Sequence, residues 1–298
     1  MIVTSEAYDH HKRKQVIDAL CKKYPFISYS VIGKSCVGRD IIALKVGKAA
    51  SYSLFAAAFH GSEHITSNIL LYFAEELCEA LGSDGSIAGL NARKALFGRG
   101  VIFVPCVNPD GCEISIHGSV GCSSGAARIG RLCENDFTHW NANYRGVDIN
   151  HNFDAGWKDL HERERRAGIT GPAPTRFGGY APESEPETVA LTSLCRENRI
   201  HHVAALHSQG EVIYWSYGDK KPNRSEHMAQ IMATASGYAL DVPVGMASGG
   251  GFKDWFIESF NRPGFTIELG RGKNPLDPAT AYSIYETARK MLTLCAIM

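Results

Sequence analysis

A histidine and a glutamate, His60 and Glu63, follow directly on the apolar run Ser53-Leu-Phe-Ala-Ala-Ala-Phe59. Imidazole nitrogen and carboxylate oxygen are donors that zinc accepts together, and a catalytic zinc site often combines two histidines with one glutamate. Two more candidates stand far along the chain. His207 follows Val203-Ala-Ala-Leu206, and Glu268 lies in Phe265-Thr-Ile-Glu-Leu269. As a set, His60, Glu63 and His207 supply three ligands and leave a fourth position for water. Zinc brings the pKa of such a water towards neutrality and polarises a carbonyl oxygen. A separate carboxylate must then take the proton and deliver it to a leaving amine, and Glu268 suits that role. Singly, each residue has an ordinary explanation: a surface His–Glu pair beside a helix start, or a salt bridge at a strand end. All four at matching strand ends favour the metal reading.

The elements that must position these residues follow from the apolar pattern. The run 53–59 has strand length. Ile69, Leu70, Phe73 and Leu77 then recur at helical spacing from Thr66 to Leu81, and Gly82 is placed to stop that helix. His60 and Glu63 therefore sit at the carboxyl edge of an α/β sheet, where such sheets place their ligands. A basic helix is predicted over 8–23, with His10 and His11 facing solvent, and a hairpin over Ile27–Ile32 and Ile41–Val46 through Gly33 and Gly38. Val101–Val107 is a further buried strand running into a tight turn at Asn108-Pro-Asp-Gly111. From 112 to 182 the pattern weakens and only 157–167 looks helical; a loop region this long is usually functional. Ser184 is expected to cap a helix reaching Asn198. Later come strands at Val203–Leu206 and Phe265–Leu269, an apolar-aromatic segment at Ile213–Tyr217, and helices near 223–237 and 279–294. Strands alternate with helices throughout, so residues 1–298 are expected to form one domain with helices on both faces of a sheet.

Composition narrows the function classes. Lys and Arg number 31 and Asp and Glu 31, so no net charge draws the chain to nucleic acid or a membrane surface. No apolar stretch approaches 18 residues, which leaves no candidate membrane span. Nine cysteines without a CxxC pair argue against both a disulfide framework and an all-cysteine zinc site. A reducing cytoplasm is the simplest compartment, and no signal peptide is visible; extracellular and spore-associated locations stay open.

Six stretches carry a resemblance to a known family. They are Phe59-His-Gly-Ser-Glu63, Asn108-Pro-Asp-Gly111, Gly146-Val-Asp-Ile-Asn-His-Asn-Phe-Asp-Ala-Gly156, Leu206-His-Ser-Gln209, Ala247-Ser-Gly-Gly250 and Phe265-Thr-Ile-Glu-Leu269. In this order the chain resembles the zinc carboxypeptidases of the carboxypeptidase A type. The resemblance implies a three-layer α/β/α fold with a mixed, mostly parallel eight-stranded sheet. It also implies one Zn2+ per chain on His60, Glu63 and His207, Glu268 as general base and acid, and a cis peptide between Ser208 and Gln209. Digestive members grip the substrate's terminal carboxylate with an Asn-Arg pair; here the pair is Asn150-His151, and histidine lacks the bidentate fork of arginine. Their tyrosine before Ala-Ser-Gly-Gly is replaced by Gly245-Met246, and their oxyanion-stabilising arginine has no clear match, with Asn141 and Arg145 nearby.

The runs His207–Trp215 and Arg262–Pro275 resemble bacterial γ-D-glutamyl-diaminopimelate peptidases, which cut cell-wall peptides. The expected partner is thus a small murein peptide, with Asn150, His151, Arg145 and Arg271 as substrate-binding candidates, Arg176 in the same loop region, and Glu211 and Asp254 for a distal amine. Three other readings compete: a general zinc carboxypeptidase, a zinc amidohydrolase that deacylates a small amino acid, and a non-catalytic peptide-binding module. His64 is expected at a helix start, and His201 and His202 to be exposed or hydrogen-bonded. His117, His139, His161 and His227 have no partner at metal spacing.

Overall fold

Uninterrupted apolar runs such as 54–59 make stable strands only where both faces are covered. The computed structural model, which describes residues 1–298, covers both. Phe55, Ala57, Val101, Phe103, Ala204 and Leu206 enter the larger of two cores. Their neighbours Leu54, Ala56, Ile102, Val104, Val203 and Ala205 enter the smaller one. This is the period of two expected of a pleated strand.

Eight strands form one mixed sheet: β1 (Ile27–Lys34), β2 (Asp40–Val46), β3 (Tyr52–Ala57), β4 (Gly100–Val104), β5 (Ile200–His207), β6 (Val212–Tyr214), β7 (Ala239–Asp241) and β8 (Gly264–Glu268). Their order across the sheet is β1-β2-β4-β3-β5-β8-β6-β7. The central four, β4, β3, β5 and β8, are parallel. The expected hairpin β1–β2 joins antiparallel at one side, and the short β6 pairs antiparallel to β8 at the other.

Helices α1 (His10–Lys23), α2 (Ile65–Gly82), α7 (Ser225–Ser236) and α9 (Ala281–Ile297) pack on the larger core. Helices α6 (Pro186–Glu197) and α8 (Phe252–Phe260) pack on the smaller. Three layers, α/β/α, result. None of the nine cysteines is in a disulfide, and no helix is long and apolar enough to cross a membrane.

The region 109–182 holds more helix than its sequence pattern suggests. Besides α5 (Trp157–Arg166), it contains α3 (Pro109–His117) and α4 (Ala126–Leu132). Asn108-Pro-Asp-Gly111 is therefore a helix start, not a tight turn. Asn108 caps α3 by accepting from the Gly111 N–H at 2.8 Å, and Pro109 stands at the first helical position, where its missing N–H costs nothing. Ser184 does not cap α6. Glu185 is the capping position, Pro186 opens the helix, and Ser184 donates to Glu185 instead. His10 is half-buried, while His202 lies inside β5, buried with Nε2 unpartnered. His201 is paired with Ser51 at 2.6 Å, and His117 stands 3.3 Å from Asp9.

Asn108 does more than cap. Its buried amide donates to the carbonyls of Phe59 (3.0 Å), Ala142 (3.1 Å) and Asn141 (3.2 Å). It thereby ties the residue before His60 to the loop after α4. Asn108→Ala should cost about 3 kcal/mol or more of stability in urea unfolding, from a lost cap and stranded buried carbonyls. Asn108→Asp keeps the capping oxygen but loses the donor, so it should recover only part of this. A loss below about 1 kcal/mol for the alanine variant would show that the amide ties nothing down.

Candidate metal centre and catalytic cavity

Three neighbouring strand ends build the centre. β3 delivers His60 three residues beyond its last paired position, β5 ends on His207, and β8 ends on Glu268. In the β5–β8 ladder Glu268 is the direct partner of His207. Glu63 comes from the single turn between β3 and α2. That turn is fixed by Thr66, whose hydroxyl accepts from the Ala58 N–H (2.9 Å) and donates to the Glu63 carbonyl (2.8 Å). Gly61 lies between the two candidate ligands. A Cβ there would stand 2.3 Å from the Gly111 carbonyl oxygen and 2.5 Å from that of Trp140, so only glycine fits.

The donor atoms converge. His60 Nδ1 lies 2.9 Å from Glu63 Oε1, and His207 Nδ1 lies 2.9 Å from Glu63 Oε2. All three side chains are largely buried, and their donor atoms fall within 4.8 Å of one another. His207 Nε2 is buried without a hydrogen-bond partner. Its ring is held instead by stacking on Phe59, with centroids 5.0 Å apart. Two imidazole nitrogens facing one largely buried carboxylate form a donor set that fits zinc. The Ser208–Gln209 peptide that follows is cis.

Asp148, which the spacing of the sequence did not single out, orients the first ligand. Its Oδ1 lies 3.1 Å from His60 Nε2, and its Oδ2 accepts from the Arg176 N–H at 2.8 Å. A carboxylate on the far nitrogen of a ligating histidine fixes its tautomer and ring angle. The only sequence signal was its place in the stretch Gly146–Gly156, one of the six that carry the family resemblance.

The charges are tightly coupled. Burial alone would raise the pKa of Glu63, but His60 and His207 outweigh it and hold it at about 2. Burial likewise opposes ionisation of Asp148, yet His60, His151 and the Arg176 N–H keep its pKa well below the usual carboxylate range. His60 is raised well above an ordinary imidazole because Glu63 and Asp148 overcome its burial. Glu268 behaves oppositely: burial, then the nearby Glu63 charge, push it up to about 8. No protein group hydrogen-bonds the Glu268 carboxylate.

A polar cavity of about 320 Å³ opens over these residues and includes His60, His207, Asp148 and Glu268 in its lining. Asn150 and His151 also line it, as do Asn141, Arg176, Lys253 and Asp254. Arg145 and Arg271 do not. Arg145 is mostly exposed and lies 3.5 Å from Glu185, while Arg271 is 77% exposed and pairs with Glu211 at 2.5 Å. That pairing also takes Glu211 away from the cavity. Asp254 pairs with Lys253, and both are buried in the wall.

The profile of the family described as zinc carboxypeptidase matches residues 14–294. A gamma-D-glutamyl-L-diamino acid endopeptidase from Lysinibacillus sphaericus is 34% identical over 284 residues, spanning 94% of this chain and 70% of the relative. Bovine thrombin-activatable fibrinolysis inhibitor, solved with a tick carboxypeptidase inhibitor, matches with a TM-score of 0.76 at 20% identity, over 98% of this chain and 97% of that one. A murein-tripeptide amidase from Escherichia coli O157 matches with a TM-score of 0.54 at 22% identity, over 89% and 91% of the two chains. These structural likenesses establish the shared fold. By class, then, the protein is a metallopeptidase, a hydrolase of peptide bonds. The chain belongs to the zinc carboxypeptidase family.

Asp148→Asn keeps the shape but removes the charge behind His60, so zinc affinity should fall about 10–100-fold in a competition titration. His60→Ala should abolish stoichiometric binding. Unchanged affinity in both variants would remove this cluster as the metal site.

Proposed function

We propose that this protein hydrolyses the γ-D-glutamyl-diaminopimelate bond of murein peptides, using one zinc per chain on His60, Glu63 and His207. When bound there, the metal supplies Lewis acidity to a water and to the scissile carbonyl. Glu268 takes the proton of the attacking water and passes it to the leaving amine. Its freedom from hydrogen bonds and its raised pKa suit a group that must accept a proton and release it near neutral pH. Asn141 and Arg176, both in the cavity lining, are the donors for charge developing on the carbonyl oxygen. Arg176 is anchored through its backbone to Asp148, and its guanidinium has no protein ion-pair partner.

The observation that carries the substrate reading is the charge on the cavity wall. The γ-D-glutamyl-diaminopimelate bond has a free glutamate α-carboxylate beside the scissile amide. Diaminopimelate adds a second carboxylate and a distal amine. A site for it needs several separated polar anchors rather than one fork. The cavity provides Asn150, His151, Arg176 and the Lys253–Asp254 pair. The relative from Lysinibacillus sphaericus is named for a bond of this class.

Two measurements test this reading. Glu268→Gln should retain zinc while turnover falls about 10²–10⁴-fold; near-normal turnover would rule out its role. Zinc-loaded wild-type protein should release diaminopimelate from L-Ala-γ-D-Glu-meso-diaminopimelate in preference to the lysine analogue, by up to about 10⁴-fold in kcat/KM where the site pairs the missing group. Faster cleavage of a hippuryl-type C-terminal substrate would make the protein a general carboxypeptidase.

A further inference from the structure

Glu164 sits on α5, in the run Trp157-Lys-Asp-Leu-His-Glu-Arg-Glu-Arg-Arg166, whose charge density suggests a solvated helix. Its carboxylate is nevertheless completely buried. A buried carboxylate costs several kcal/mol unless compensating charge or hydrogen bonds replace water. No lysine or arginine is within ion-pair distance. The partners are two imidazoles and one amide: His151 Nδ1 at 2.8 Å, His161 Nδ1 at 3.2 Å and the Gly178 N–H at 3.1 Å. His161 is fixed in turn by stacking on Trp157, with centroids 4.7 Å apart.

The two histidines differ in what their other nitrogen meets. His161 faces away from the catalytic cavity, whereas His151 lines it. His151 Nε2 has no hydrogen-bond partner in the protein. An ionised carboxylate only accepts hydrogen bonds, so Glu164 requires the proton on Nδ1 and leaves Nε2 to the substrate.

We propose that Glu164 is a positioning residue that turns His151 into the carboxylate receptor of the cavity. It holds the His151 ring through Nδ1 at 2.8 Å and leaves Nε2 as the atom that meets a substrate carboxylate. A ring that bridges two carboxylates donates one hydrogen bond inwards and one to the ligand. His151 thus serves as a single-pronged donor whose direction is set from behind. This rests on the murein-peptide reading only for which substrate carboxylate is engaged.

The test compares wild type, Glu164→Gln and His151→Gln on the murein tripeptide and on two analogues, one amidated at the glutamate α-carboxylate and one at the diaminopimelate α-carboxylate. With the tripeptide, both variants should raise KM at least tenfold and change kcat less than threefold. One amidated analogue should show the same KM rise with wild type and no further rise in either variant. That analogue identifies the carboxylate. His151→Gln leaves the buried Glu164 in place with an amide donor, so it covers the case in which Glu164→Gln folds poorly. Equal KM penalties on all three substrates, or a loss confined to kcat, would overturn the proposal. Failure of the wild type to cleave the tripeptide would defeat the murein reading alone. The pair is then decided on a hippuryl substrate against its C-terminal amide, where the same selective KM effect is expected and its absence overturns the proposal.

Discussion

Parallel pairing of β3, β5 and β8 in one register is the constraint on which the site depends. Ala57 stands opposite Leu206, and His207 opposite Glu268. The carboxyl ends of three strands from distant parts of the chain therefore finish side by side. A slip of one residue would send every side chain of a strand to the other face. His207 and Glu268 would then no longer adjoin, and both cores would be disrupted. The same alternation that separates Phe55 from Leu54 thus fixes the candidate metal ligands.

Around that edge the structure buries several carboxylates, and each is compensated locally. Glu63 lies between two imidazoles, Asp148 between an imidazole and the Arg176 N–H, and Glu164 between two further imidazoles. Glu268 is the exception. Burial and the nearby Glu63 charge push it towards its neutral form, and no protein group hydrogen-bonds its carboxylate.

The sheet and the donor set were legible in the sequence because both rest on strong local signals. Continuous apolar runs mark strands covered on both faces, and His60, Glu63, His207 and Glu268 stand at or just beyond the ends of such runs. The rest was hidden for identifiable reasons. Asn-Pro-Asp-Gly suits a tight turn as well as a helix start, and in Cys112–His117 the apolar Cys112, Ile114 and Ile116 alternate at a period of two, which does not reveal that α3 follows. Asp148 and Glu164 act through other side chains, at separations no motif records. Arg145 and Arg271 were placed by closeness in sequence to Asn150 and Glu268, but a loop side chain takes its direction from its partner. Glu185 and Glu211 draw these two away. Arg176, by contrast, lines the cavity, where its left-handed backbone (φ 67°) lies beside Asp148.

In the proposed reaction, water activated at the His60–Glu63–His207 centre beside Glu268 attacks the γ-carbonyl of D-glutamate. Hydrolysis of the murein tripeptide by the zinc-loaded protein in ¹⁸O-labelled water, followed by mass spectrometry of both fragments, tests it most directly. The account predicts one ¹⁸O atom in the γ-carboxylate of the alanyl-glutamate fragment and unlabelled free diaminopimelate. An intact tripeptide, or label entering through cleavage of the alanyl-glutamate bond instead, would contradict it.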